Sequence, residues 1–193
     1  MKKILIIKSH PKENSFCNAL ADKYIEGAKE KESKIEILNL KNFGLEKFLK
    51  NEHTKNPELP KDLQNSQKLI SWADHLVFVY PTWWATPPAL LKVFFEIVFH
   101  PGFAYKYQKS KGSFPKWDKL LVGKTARIVV TMDSPPWYYK WVVGDPGGKM
   151  IKDIMSFTGI KLLGKHYFGS VKMSSNKQRS GWLENIYKIG KSE

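Results

Sequence analysis

Two short loops in this chain carry residues suited to holding something flat and anionic. The first, Ser9-His10-Pro11-Lys12-Glu13-Asn14-Ser15-Phe16-Cys17-Asn18, follows the apolar run Lys3-Ile4-Leu5-Ile6-Ile7-Lys8 and leads into a helical pattern. The second, Pro81-Thr82-Trp83-Trp84-Ala85-Thr86-Pro87-Pro88, follows His75-Leu76-Val77-Phe78-Val79-Tyr80. Metal and dithiol chemistry do not compete for these loops. The histidines at 10, 53, 75, 100 and 166 have no ligand spacing, and Cys17, the one cysteine, has no C-x-x-C partner. Cys17 reads as a small buried hydrophobe before it reads as a reactive thiol.

The elements that must position these loops follow from the apolar periodicity. Runs of four to six apolar residues suit strands buried on both faces, as in a parallel sheet covered by helices. After the strand at Lys3 to Lys8, Ser15 is a good N-cap, and Phe16, Ala19, Leu20, Tyr24 and Ile25 recur at helical spacing to about Lys31. Ile35 to Leu40 reads as a strand, Lys41 to Pro60 as an interrupted polar stretch, and Asp62 to Ala73 as a helix leading into the strand at His75. Pro88 is expected in the first turn of a helix reaching Val98. Phe99 to Leu121, with Gly102, Gly112 and Pro115, reads as irregular. Strands at Ala126 to Thr131 and Leu162 to Phe168 and helices at Lys149 to Phe157 and Asn176 to Ile189 complete the alternation. Five strands alternating with helices imply right-handed crossovers and an α/β, doubly wound parallel sheet with helices on both faces. An early reversal of strand order places a crevice between the first and third strands, beyond whose carboxyl ends both loops lie. The chain has no G-x-G-x-x-G after its first strand and no G-x-x-x-x-G-K-[ST], which disfavours a dinucleotide-binding Rossmann domain and a P-loop enzyme.

Composition narrows the function classes. With 193 residues, 42% hydrophobic and 13% aromatic, the chain can bury a full core and is expected to form one domain spanning residues 1–193. The formal charge is +14, from 32 basic and 18 acidic residues, yet only Arg127 and Arg179 are arginines and the lysines are scattered. A nucleic-acid footprint is clustered and relies on arginine, so no nucleic-acid partner is expected; a positive surface instead attracts anionic ligands. The apolar run after Met1 is too short for a signal peptide, and no stretch approaches the ~20 residues of a membrane span. A cytoplasmic protein without membrane insertion is the expectation.

The order of motifs carries a resemblance. His10-Pro11-Lys12-Glu13-Asn14-Ser15-Phe16 resembles the H-x-x-x-x-S-F loop of the NAD(P)H:quinone oxidoreductase family, the DT-diaphorase-like flavoproteins. Ala73-Asp74-His75, Pro81-Thr82-Trp83-Trp84, Pro88-Ala89-Leu90-Leu91-Lys92 and Phe99-His100-Pro101-Gly102-Phe103-Ala104-Tyr105 look like that family's A-D-x, P-x-x-W, P-A-x-L-K and F-A-Y signatures. Phe157-Thr158-Gly159-Ile160 and Phe168-Gly169 fit its later part. The resemblance implies a flavodoxin-like fold, a flavin (FMN or FAD), NADPH or NADH as hydride donor, and a quinone-like acceptor reduced by ping-pong two-electron transfer. It also implies a homodimer. Some relatives are instead flavin-binding ancillary subunits of potassium-efflux systems, and that alternative stays open.

The resemblance assigns roles residue by residue. Ser15 at the helix cap, with the amides of Phe16, Cys17 and Asn18 and a donor from His10, is expected to hold the flavin phosphate, since a helix N-terminus offers free N–H groups and a favourable dipole. Pro81, Thr82, Trp83 and Trp84 are expected along the isoalloxazine ring. The family's T-T-G-G turn is replaced by Thr131-Met132-Asp133-Ser134-Pro135-Pro136-Trp137-Tyr138-Tyr139, in which the backbone of Met132, Asp133, Ser134 and Pro135 is expected to approach the flavin. Ungapped continuation places Tyr139 at the family's tyrosine near the hydride-transfer site, with Tyr138 as the alternate one residue away, and Asp145 where the family often has histidine. Trp137, Tyr138 and Trp141 are read equally as a substrate wall or a dimer contact.

Overall fold

The computed structural model describes residues 1–43, 61–109 and 114–193. Its strands are β1 (Lys3–Lys8), β2 (Lys34–Asn39), β3 (His75–Pro81), β4 (Tyr105–Tyr107), β5 (Trp117–Lys119), β6 (Thr125–Thr131) and β7 (Lys161–Phe168). Its helices are α1 (Phe16–Lys29), α2 (Lys61–Trp72), α3 (Ala89–Val98), α4 (Pro136–Trp141), α5 (Pro146–Thr158) and α6 (Asn176–Lys191). Five strands form one parallel sheet in the order β2-β1-β3-β6-β7, and β4 and β5 form a separate antiparallel pair. The chain passes from β1 to β2 on one side and returns to β3 on the other, which opens the expected crevice between β1 and β3.

Alternation along the central strands builds two cores. Leu5, Ile7, Leu76, Phe78 and Tyr80 enter a core shared with Leu63 and Ile70 of α2, Leu91 and Phe94 of α3, and Ile151 and Met155 of α5. Ile4, Ile6, Val77 and Val79 enter a second core with Leu20, Ala21 and Tyr24 of α1 and Ile186 of α6. Successive strand side chains point to opposite faces, so the unbroken apolar runs Ile4–Ile7 of β1 and Leu76–Val79 of β3 are what a sheet with helices on both sides demands. The sheet is α/β and doubly wound, as the sequence predicts.

Three local readings are corrected. Pro88 stands one residue ahead of α3 as its cap (φ −54°, ψ 148°), not in the first turn, and it offers no side-chain hydrogen bond there. The stretch read as irregular contains the β4–β5 pair, where Tyr105 and Trp117 meet the ring of Phe157. Pro136 opens the short helix α4, which the paired prolines conceal in the sequence. Leu40–Asn42 form a 3-10 turn; residues 44–60 and Gly112 lie outside the described residues.

At the amino ends of β1, β3 and β6 a buried ionic cluster gives a pH-dependent stability. The Glu193 carboxylate accepts from Lys2 and Arg127 and lies 3.7 Å from Nε2 of the fully buried His75, whose Nδ1 is 2.7 Å from Thr125 Oγ1. Burial pushes His75 from 6.5 down to about 4, with Lys2 and Arg127 adding to the fall and Glu193 opposing it. A base whose folded pKa is lowered leaves the unfolded chain binding more protons between the two values, so stability is full above pH 6.5 and declines as pH drops toward 4. The His75 contribution is roughly 3 kcal/mol at most. Burial works against the Glu193 charge, but the Lys2 and Arg127 hydrogen bonds outweigh it and hold the carboxyl at about 2, so its contribution is lost lower, as pH falls from 4.5 toward 2. The urea midpoint should therefore fall steadily between pH 6.5 and 4; a flat midpoint over that range would contradict the burial of a neutral His75.

Candidate active site

The loops leaving β1, β3 and β6 converge on one cleft of about 440 Å³ at the carboxyl edge of the sheet. The first loop is held to the sheet by Ser9, whose amide donates to Val79 O at 3.0 Å. Ser15 caps α1, its Oγ accepting from the Asn18 amide at 3.2 Å, and no acidic residue occupies the first turn to compete with an anion. Asn18 is buried behind the loop: its Nδ2 donates to Lys12 O at 3.0 Å and Glu13 O at 2.9 Å. Among the first-loop residues, His10, Ser15, Phe16 and Cys17 line the cleft, whereas Asn18 braces it from the rear.

His10 has a defined tautomer. Its Nδ1 accepts from the Lys12 amide at 3.0 Å, which leaves the proton of the neutral ring on Nε2, free to donate. Burial lowers its pKa and the neighbouring Lys12 charge adds to the effect, so neutrality is favoured. Cys17 is buried at the base of the cleft, and burial pushes its thiol up to about 12, which makes it a packing residue, not a nucleophile.

The second loop continues β3. The Thr82 amide donates to Thr131 O at 2.7 Å, and Pro81, Thr82 and Trp83 line the cleft, with the Trp83 ring edge-on to His10 at 5.8 Å between centroids. Thr82 Oγ1 is buried without a hydrogen bond at bonding geometry. Trp83 and Thr86 exchange backbone hydrogen bonds of 2.9 and 3.0 Å around Trp84 and Ala85, both left-handed at φ 49° and 63°. Trp84 stands above the cleft, 99% exposed, outside its lining.

The third loop brings only some of its residues to the cleft. Thr131, Met132 and Asp133 line the cleft, but Ser134 and Pro135 do not. The Ser134 carbonyl accepts from the Ser170 amide at 3.1 Å, and Pro135 has no N–H to offer. Gly169 makes this approach possible, because a Cβ there would lie 2.4 Å from both Ser134 O and Pro136 Cδ.

Tyr139 lies outside the lining of the cleft. It is 2% exposed, donates its hydroxyl to Ala85 O at 2.8 Å and accepts from the Gly147 amide at 3.1 Å. Tyr138 is half exposed against the Trp137 ring and lies outside the cleft lining. Asp145 is buried at φ 54°, caps α5 through the Gly148 amide at 3.1 Å, and receives Lys165 Nζ and the Tyr167 hydroxyl, each at 2.7 Å. All its bonds are structural.

The sequence reading missed Lys12, Asn14, Thr131, Val171 and Lys172 in the lining. Lys172 follows β7 in a 3-10 turn and pairs with Asp133 at 2.9 Å. A signal was available: every loop after a parallel strand of one sheet emerges on the same edge, so the residues following Phe168 belonged with the other three loops. Among the described residues no group of three or more His, Cys, Asp or Glu could hold a metal ion.

A family model for the flavodoxin-like fold matches residues 2–189. The chain belongs to this family. An uncharacterized NAD(P)H oxidoreductase of Haemophilus influenzae is 27% identical over 186 residues, spanning 93% of this chain and 90% of that protein. The ribosyldihydronicotinamide dehydrogenase (quinone) of Homo sapiens is 25% identical over 224 residues, spanning 100% of this chain and 94% of the human protein. Among solved structures, a protein from Streptococcus mutans UA159 superimposes with a TM-score of 0.83 at 29% identity, over 99% of this chain and 100% of that one.

Proposed function

We propose that this chain binds one flavin per subunit in the cleft and acts as an NAD(P)H dehydrogenase of the quinone-reducing kind. The observation that carries the reading is the joining, in one cleft, of an amide-rich and basic end with an aromatic end. At the first, the opening turn of α1, the Ser15 cap and the Lys12 and Lys172 side chains suit a phosphate. At the second, Trp83 suits a planar ring, and the unpartnered Thr82 Oγ1 suits its polar edge. A single anion cradle favours FMN over FAD, whose second phosphate would need donors of its own. When bound, the flavin would supply the two-electron chemistry, accepting from NADH or NADPH and delivering to a quinone-like acceptor in ping-pong order.

The remaining roles fall to residues of the chain. Lys12 and Ser15 hold the anion, His10 offers its Nε2 proton as a hydrogen-bond donor, and buried Met132 and Cys17 close the floor of the cleft against water. Trp137, Trp141 and Val142 leave an apolar surface exposed near the second loop, which suits the contact of a homodimer. A cytoplasmic site of action belongs to the same reading, since that is where an NAD(P)H-dependent enzyme meets its donor, and no described helix is long and apolar enough to cross a membrane.

Purified protein should show a flavin absorption spectrum, release FMN on denaturation, sediment as a dimer and oxidise NAD(P)H with a soluble quinone. A colourless protein that binds no added flavin would end the reading. Retained flavin with negligible turnover would favour the ancillary-subunit alternative instead.

A further inference from the structure

The turn that carries the two loop tryptophans is not one its own sequence favours. Two-residue turns with positive φ at both central positions are normally built from Asn-Gly, Asp-Gly or Gly-Gly. Here those positions are Trp84 at φ 49° and Ala85 at φ 63°. Each carries a Cβ that disfavours the left-handed region, and Trp84, almost wholly exposed, has no packing to compensate. The cross-turn bonds between Trp83 and Thr86 are available to any such turn, so the support has to come from outside it.

The neighbouring elements supply that support. Tyr139 of α4 donates its hydroxyl to Ala85 O at 2.8 Å, and the hydroxyl oxygen of Tyr139 itself accepts from the Gly147 amide at 3.1 Å. Gly147 lies in the first turn of α5 and presses against the turn: a Cβ there would be 2.9 Å from the Tyr139 hydroxyl, 3.0 Å from Pro87 Cδ and 3.4 Å from Thr86 Cα. The start of α5 is anchored in turn by Asp145, which is tied to Lys165 and Tyr167 of β7. A line of contacts therefore runs from β7 through Asp145, Gly147 and Tyr139 to the carbonyl of a left-handed residue.

We propose that Tyr139 is a positioning residue: its hydroxyl, oriented by the Gly147 amide, holds the Ala85 carbonyl and keeps the Trp83–Thr86 turn left-handed, so that Trp83 is presented to the ring of the bound flavin. The inference rests on the flavin reading above. A phenol has one proton to donate, and Tyr139 spends it on Ala85, so this hydroxyl is not a donor to the acceptor substrate.

Tyr139→Phe keeps the buried ring and removes only the hydroxyl. In flavin-free protein, amide exchange at Trp83 and Thr86, followed by NMR, should accelerate roughly fivefold to tenfold. Adding Ala85→Gly should return the rates toward wild type, because glycine occupies positive φ without help. The flavin dissociation constant, read from fluorescence quenching, should weaken by a similar factor in Tyr139→Phe and recover in the double variant. A hydroxyl that merely stabilised the fold would not be rescued by a change in the turn, and a proton donor would leave exchange and flavin affinity untouched. Wild-type exchange rates in Tyr139→Phe, or failure of Ala85→Gly to rescue, overturns the proposal. Should wild-type protein bind no flavin, the reading of the cleft fails by itself, and the exchange comparison still decides whether Tyr139 holds the turn.

Discussion

Gly190→Ala is expected to lower the melting temperature by roughly 4–8 °C, although alanine is the better helix former. Helix α1 crosses α6 where two glycines let the backbones meet: a Cβ on Gly190 would lie 2.2 Å from Tyr24 O, and one on Gly27 would lie 2.1 Å from Tyr187 O. Neither obstacle is the end of a flexible side chain that could swing away. The helices would have to separate, loosening the core that joins Leu20, Ala21 and Tyr24 to Ile186. Helix propensity favours the substitution by about 1 kcal/mol, while overpacking against backbone opposes it by ~3 kcal/mol or more, so packing wins. At about 2–4 °C per kcal/mol for a chain of this size, the net loss gives a fall of that order. Gly181, on the same helix, supplies the control: a Cβ there meets nothing within 4 Å, so Gly181→Ala should gain up to about 1 kcal/mol. Calorimetry on the two variants should give opposite signs. A stabilised Gly190→Ala would show that the helices do not cross this closely.

The contrast between those glycines shows what the sequence makes legible. Both sit inside the same helical pattern, and only the position of a helix distant in sequence separates them. What depends on neighbours along the chain could be read: the buried strands at Lys3 and His75, the Ser15 cap, and the strand order that places the first two loops together. What depends on the folded neighbourhood could not. Family resemblance points Tyr139 to a donor role, whereas the acceptor of its hydroxyl is the backbone carbonyl of Ala85, 54 residues away, which no residue type announces. The bonds of Asp145 with Lys165 and Tyr167 are visible only once β7 is packed beside α5. Helix α4 was hidden because Pro135 and Pro136 read as loop punctuation, although proline also suits a first helical position.

Asn18→Asp, a change of one amide nitrogen to oxygen, should weaken flavin binding by about 100-fold. The side-chain amide of Asn18 donates to both Lys12 O and Glu13 O, and these two bonds set the curve of the loop that ends at the Ser15 cap. A carboxylate at the buried Asn18 position would bring an acceptor and a negative charge against two carbonyl oxygens and would remove the donor that both now have. One effect runs the other way, since a carboxylate in the first turn gains up to about 1 kcal/mol from the helix dipole. Against it stand two lost hydrogen bonds at ~1 kcal/mol each, the repulsion between the carboxylate and the two carbonyl oxygens and the desolvation of the charge at a buried position, so a net loss of about 3 kcal/mol is expected. That is a factor of ~100 in affinity if the loop opens to solvate the carboxylate. Asn18→Ala removes the donors without adding charge and should lose only about tenfold. The sign of the pH dependence identifies the cause: a protonated carboxyl regains one donor and loses its charge, so flavin affinity of Asn18→Asp should recover as pH is lowered, while that of Asn18→Ala should show no such recovery. Fluorescence titration of flavin-free protein at several pH values reads both. If Asn18→Asp binds flavin as wild type does, the loop after β1 is not the phosphate site, and the basic end of the cleft must be sought at Lys172 instead.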